Sequence, residues 1–297
     1  MSARLKVFSG FAVFFLTVFV FIGIFGWSRT DNETFEPPNE FRTETWIDLP
    51  GSFDFNKAVL YLLIAAILTV WTMVYVAKRM QERPNRVQTF VELLYTTMRD
   101  TITRGSMDEK MAAKWFPVIG ALFLFIWYSN LIGFIPLPTN TEHTFSLFGA
   151  DIPSFAIYAA TANISIPLAL ALVVFISYNV EGIRKKGPLG YLKSLVPAGI
   201  TGPMAVFIFI LEFMSNFMRL MSLSVRLFAN MLAGHLIILF MGGALVVLLG
   251  IEALGVITFV PAVLIYLFEV GLVATLQAFI FATLTAIYLG GAVAEQH

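Results

Sequence analysis

The chain has 297 residues, of which 58% are hydrophobic and only 13% charged, with a mean hydropathy of +0.82. Soluble domains carry about 25% charged residues, so the composition excludes an ordinary soluble domain and marks an integral membrane protein. Nineteen basic and nineteen acidic residues cancel, which leaves nucleic-acid binding without electrostatic support, and the absence of cysteine excludes disulfides and thiolate chemistry.

A spanning helix needs about 20 apolar residues. Such runs lie at 7–27, 57–77, 112–136, 154–180, 203–248 and 255–290, predicting an all-α, polytopic protein with five to six spans. The first run follows Arg4 and Lys6. It exceeds a usual signal-peptide core, and Ile24-Phe-Gly-Trp-Ser28 lacks a small-x-small cleavage site, so it reads as a retained span. Residues 1–56 then form an N-terminal hydrophobic helix plus an external loop, and 57–297 form the main membrane domain. Between the second and third spans, 82–106 reads as an amphipathic helix at the cytoplasmic surface, with Val87, Phe90, Val91, Leu94, Tyr95 and Met98 on its apolar side. The last two runs are too long for one upright pass and must tilt steeply or break. Gly242-Gly243 and Gly250 are the break points on offer in the first, and Gly255 with Pro261 punctuates the entry to the second.

Basic clusters fix the orientation. Arg4 and Lys6, then Lys78, Arg79, Arg83 and Arg86, then Arg184, Lys185, Lys186 and Lys193 belong in the cytoplasm. Loops 28–56 and 137–153 are richer in acid and belong outside. The C-terminus then falls in the cytoplasm, provided the last two segments each cross once.

Within 203–240, set Glu212 at zero on a helical wheel. At about 100° per residue, Ser215, Arg219, Ser222, Arg226 and Asn230 join it within an arc of roughly 80°. His235 points the opposite way from Arg226. Two polar faces on one helix suggest two separate aqueous environments. A guanidinium cannot shed its proton at accessible pH, and holding it in hydrocarbon is costly. No Lys or Arg follows Arg226. Its partner must therefore lie on the returning segment, at Glu252 or Glu269, or on another protein. Bland readings exist for single members: serines bond their own backbone, Asn230 glues helices, Arg219 snorkels.

The last segment holds Glu269 and Gln277. A carboxylate flanked by apolar residues in a membrane is a proton-site hypothesis. With His235 it reads as a relay, or as a static hydrogen-bonded pair locking two helices. One His and one Glu under-ligand a zinc ion, so no metal or other cofactor is expected.

Ser222-Leu-Ser-Val-Arg226-Leu-Phe-Ala-Asn230-Met-Leu-Ala-Gly234-His235 and Leu276-Gln277-Ala-Phe-Ile-Phe-Ala-Thr-Leu-Thr-Ala-Ile-Tyr288-Leu resemble subunit a of the rotary F-type ATP synthase. Residues 127–138 and 181–193 resemble further segments of that family. The resemblance implies a proton-translocating stator subunit of a prokaryotic cell membrane that makes no ATP itself. Its partners would be the c-subunit ring, the b subunits of the peripheral stalk and membrane lipid. It implies that Arg226 stands between two offset half-channels, with Asn230 and Gln277 close to it. His235 and Glu269 would line the outer half-channel, and Glu212, Ser215 and Ser222 the inner one. One departure stands out: Glu269 lies eight residues before Gln277, where the family usually has seven. In a straight helix eight residues set the two about 80° apart, and a π-bulge would bring them together. The rival reading, a secondary transporter using a buried arginine for an anionic substrate, predicts inverted repeats. The hydropathy shows none.

Overall fold

A computed structural model describes residues 45–48, 54–79, 81, 86–135, 145–147, 150–152, 160–197, 199–241 and 253–294. The proposed first span at 7–27 and the break points Gly242-Gly243 and Gly250 lie outside these residues, as does Glu252. In chain order the elements are β1 (Thr45–Asp48), β2 (Asp54–Asn56), α1 (Lys57–Arg79), α2 (Arg86–Thr96), α3 (Glu109–Gly133), β3 (Phe145–Leu147), β4 (Ala150–Ile152), α4 (Ser165–Lys186), α5 (Pro188–Lys193), α6 (Pro203–Leu239), α7 (Ala253–Phe268) and α8 (Ala274–Val293). Five helices among the described residues are long and apolar enough to cross a membrane: 58–78, 109–133, 165–186, 203–238 and 258–293. The all-α membrane class holds. Two small antiparallel hairpins, β1–β2 and β3–β4, lie in connections that the apolar runs left blank.

α8 is the centre of the molecule, and the reason is a row of small residues. Ala274, Ala278, Ala282 and Ala286 recur every fourth position and have no solvent exposure. Lipid tails are as apolar as leucine, so membrane helices gain from close packing. A face built of methyl groups lets α3 and α4 approach, and α8 packs chiefly on these two. Phe123, Ile119 and Ile126 of α3, Val174 of α4 and Leu227 and Met231 of α6 fill the same core.

Two expectations need correction, and a third is extended. The fourth span starts at Ser165, not 154. Asn163 Oδ1 accepts the Ser165 N–H at 3.1 Å, and Ala160–Ala162 form a 3₁₀ turn before it. The same helix runs on to Lys186 because the charge of Glu181 is paired with Lys114 of α3 and with Arg184. It stops at Gly187, whose φ of 73° suits glycine. The amphipathic segment is helical from Arg86, as expected, and it also packs on its neighbours. It passes through a π turn (Thr97–Thr103) and folds back along α3. Tyr95 meets Phe116 edge-on at 4.8 Å, Phe90 approaches Trp127 at 6.3 Å, and Met98 and Ile102 are buried. Finally, Gly255 and Pro261 do not mark the entry to the last segment, since both lie inside α7.

α6 runs unbroken through 37 residues. That is about 55 Å of helix against a hydrocarbon core of about 30 Å, so it crosses at a steep incline. It packs mainly on α4, and most of its surface faces away from the rest of the chain.

Candidate functional site

The polar seam is real, and it faces outward. Ser215, Ser222, Arg226 and Asn230 are exposed on α6, among Met214, Phe217, Met218, Met221 and Val225, which are exposed too. None of the four polar residues has a hydrogen-bond or ion-pair partner among the described residues. The backbone-bonded serine is Ser224, off the seam, whose hydroxyl donates to Met221 O at 3.0 Å. Arg226 is unpaired among the described residues, and Glu269 is not its partner. Arg226 is exposed on α6, and Glu252, the other acid the sequence offered, lies outside the described residues.

Glu212 and Arg219, half-buried on the same seam, satisfy one another: Arg219 Nη2 lies 2.9 Å from Glu212 Oε1. Seven residues separate them, two turns on one face. Asn216, one step around the helix from Glu212, is buried and begins a network absent from the sequence reading. It accepts the Tyr178 hydroxyl at 2.6 Å and donates to Asn179 Oδ1 at 3.2 Å, which also accepts the Tyr191 hydroxyl at 2.9 Å. The wheel places Asn216 only about 40° from Glu212, so that signal was available. Its partners on α4 and α5 carry no such periodic mark.

On the opposite face of α6, His235 points into the protein. Its Nδ1 lies 2.8 Å from Met231 O and its Nε2 2.8 Å from Gly133 O, while its ring stacks on Phe134 at 4.7 Å. The last carbonyls of α3 lack partners within their own helix, and His235 supplies one. Which ring nitrogen donates is set by the tautomer. The Tyr266 hydroxyl donates to the next carbonyl, Phe134 O, at 2.5 Å.

Glu269 is 9% exposed, and its Oε2 has no hydrogen-bond partner among the described residues. The static hydrogen-bonded His235–Glu269 pair, the alternative to a relay, does not form, because the ring nitrogens are taken by backbone carbonyls. The carboxylate rests instead on Gly234, beside His235. A Cβ built there would stand 2.6 Å from Glu269 Oε2. Gly234→Ala should therefore displace the carboxylate.

Between α7 and α8, residues Glu269–Val273 form a π turn. It absorbs the additional residue between Glu269 and Gln277, and both side chains are buried. The spacing that looked anomalous is accommodated. Just beyond the π turn, two side chains of α3 hold the chain: Asn130 Nδ2 donates to Ala274 O at 3.3 Å, and Trp127 Nε1 donates to Thr275 Oγ1 at 3.1 Å. Asn130 itself accepts the Thr161 hydroxyl at 2.8 Å.

The model of the ATP synthase A chain family matches residues 59–290. ATP synthase subunit a of Bradyrhizobium diazoefficiens is 36% identical over 248 residues, covering 82% of this chain and 90% of that protein. Its counterpart from Rhizobium rhizogenes is 33% identical, covering 83% and 92%. That from Hyphomonas neptunium is 31% identical, covering 88% and 98%. An exposed arginine, unpaired among the described residues, on a long inclined helix thus sits in a chain that belongs to the family of ATP synthase subunit a, a component of that enzyme's membrane sector.

Proposed function

We propose that this chain is the proton-translocating stator of a rotary ATP synthase, working against the carboxylates of a c-subunit ring and braced by the b subunits. The observation that carries the reading is Arg226, exposed on the seam and unpaired among the described residues. A ring carboxylate passing Arg226 would supply the missing anion. The cation favours the ionised acid and prompts it to release its proton. The acid must pick up another before entering lipid, because carrying it charged is expensive. Each proton crossing 100 mV contributes about 2.3 kcal/mol.

Two half-channels follow from the two polar faces of α6. Glu212, Ser215 and Ser222 line the inner one. His235 and Glu269 line the outer one, on the far face of the helix. Arg226 separates them, with Asn230 on its own face and Gln277 across on α8. The basic clusters 184–186 and 193 put the inner side, and the C-terminus, in the cytoplasm of a prokaryotic cell. The chain has no Gly-x-x-x-x-Gly-Lys-Ser/Thr loop, in keeping with a non-catalytic subunit, and nucleotide chemistry belongs to other subunits.

The natural chain has no cysteine, so a single introduced thiol reports without background. In intact vesicles of either orientation, Ser222→Cys should react with impermeant reagents from the cytoplasmic side alone, and His235→Cys from the opposite side alone. A thiol at either position reached equally from both sides would mean one continuous pore, and the two-channel reading would fail.

A further inference from the structure

The seam carries two arginines, and the protein treats them differently. Arg219 is bonded to Glu212, and its guanidinium carbon lies 5.7 Å from the ring centre of Tyr288 on α8. Arg226, two turns further on, has neither kind of contact among the described residues. Tyr288 is itself held in place. Its ring stands 5.8 Å from that of Tyr178 on α4, and Tyr178 is bonded to Asn216, which reaches Tyr191 on α5 through Asn179. Three elements besides α6 thus fix the surroundings of one guanidinium. The ionisable groups facing the Glu212–Arg219 pair are Tyr288 of α8, Tyr178 of α4 and Tyr191 of α5.

We propose that Arg219 is a positioning residue for Glu212. It holds the carboxylate at one orientation on the seam, and the bond neutralises its own charge, which leaves Arg226 as the cation open to a passing acid. The planar guanidinium is suited to this double task, because it donates in its plane and stacks through its face. A free Arg219 would lie only about 10 Å from Arg226 along the helix. A moving carboxylate would then have two resting places instead of one. This inference rests on the reading that Glu212 faces the inner proton path.

The test uses the assembled complex in proteoliposomes, with the catalytic head stripped and proton flux driven by a potassium diffusion potential. The pH is varied on one side at a time. Arg219→Gln should slow flux by roughly three- to fifteen-fold, the range that polar contacts between membrane helices provide. It should also change how flux depends on inner-side pH and leave the outer-side dependence as it was. Tyr288→Leu should act in the same direction and Tyr288→Phe should not, since the ring makes the contact. Arg219→Lys keeps a cation beside Glu212 and should retain most of the flux and its normal pH dependence. Uniform slowing, with both pH dependences unchanged, would reduce Arg219 to a structural part and overturn the proposal, as would unaltered flux in Arg219→Gln. Failure of the parent reading looks different: coupled pumping would survive Arg226→Ala whatever Arg219 does.

Discussion

Arg226→Ala is expected to abolish ATP synthesis and ATP-driven proton pumping in complexes that still assemble, and to open a passive proton leak. Two effects combine. Without the cation, a ring carboxylate has no reason to release its proton at the meeting point of the half-channels. Placing a charge at mid-membrane costs about 3 kcal/mol on insertion scales, and losing its compensation converts to roughly a hundredfold in rate. The barrier to a proton hopping directly between the half-channels also falls, because a fixed positive charge no longer repels it. Arg226→Lys should fail almost as badly. An ammonium is a compact point charge that gives up its proton when desolvated, and a guanidinium does not. Fluorescence quenching in inverted vesicles reads the pumping, and a potassium diffusion potential reads the leak. Retained coupled pumping in Arg226→Ala would overturn the function proposed here.

The second large effect is a contrast between two deletions. Removing Leu284 from α8 rotates every later residue by about 100°. Ala286 and Leu289 leave the core, Tyr288 leaves Arg219, and coupled pumping should vanish. Removing Gly271 should do far less. It lies in the π turn, with open space where a side chain would be. The turn can relax to ordinary α-helix, and Glu269 would then stand seven residues before Gln277, the spacing usual in the family. Pumping should stay within about twofold of the unaltered chain, since one excess residue is what a π turn accommodates. If both deletions are equally destructive, the π turn has a role beyond taking up that residue.

The spans were legible because about 20 apolar residues leave few alternatives in a bilayer. The seam was legible because a 100° period is intrinsic to the helix, and even Asn216 sat within reach of that arithmetic. What failed has a common cause. His235 was paired with Glu269 on side-chain chemistry, yet its partners are carbonyls of Met231 and Gly133, and every residue has a carbonyl. Tyr178, Asn179 and Tyr191 meet Asn216 only through the packing of α4 and α5 on α6. The late start of α4 depended on a local Asn163 bond inside an otherwise apolar stretch. The π turn could be posed as a condition from the eight-residue spacing, but the choice between a turn and a rotated carboxylate is made by neighbouring helices.

The alanine row on α8 leaves one matter unsettled by shape alone. A surface that repeats every fourth residue looks the same after sliding by one turn, so α3 could engage it at several offsets with equal fit. Asn130 and Trp127 remove that ambiguity, because only one offset brings Ala274 O and Thr275 Oγ1 beneath them. They act like the index pin on a graduated scale. Under the proposed function the stationary half of a motor gains from such a pin, since torque borne along α8 would meet polar bonds that must break before the helix can slip a notch.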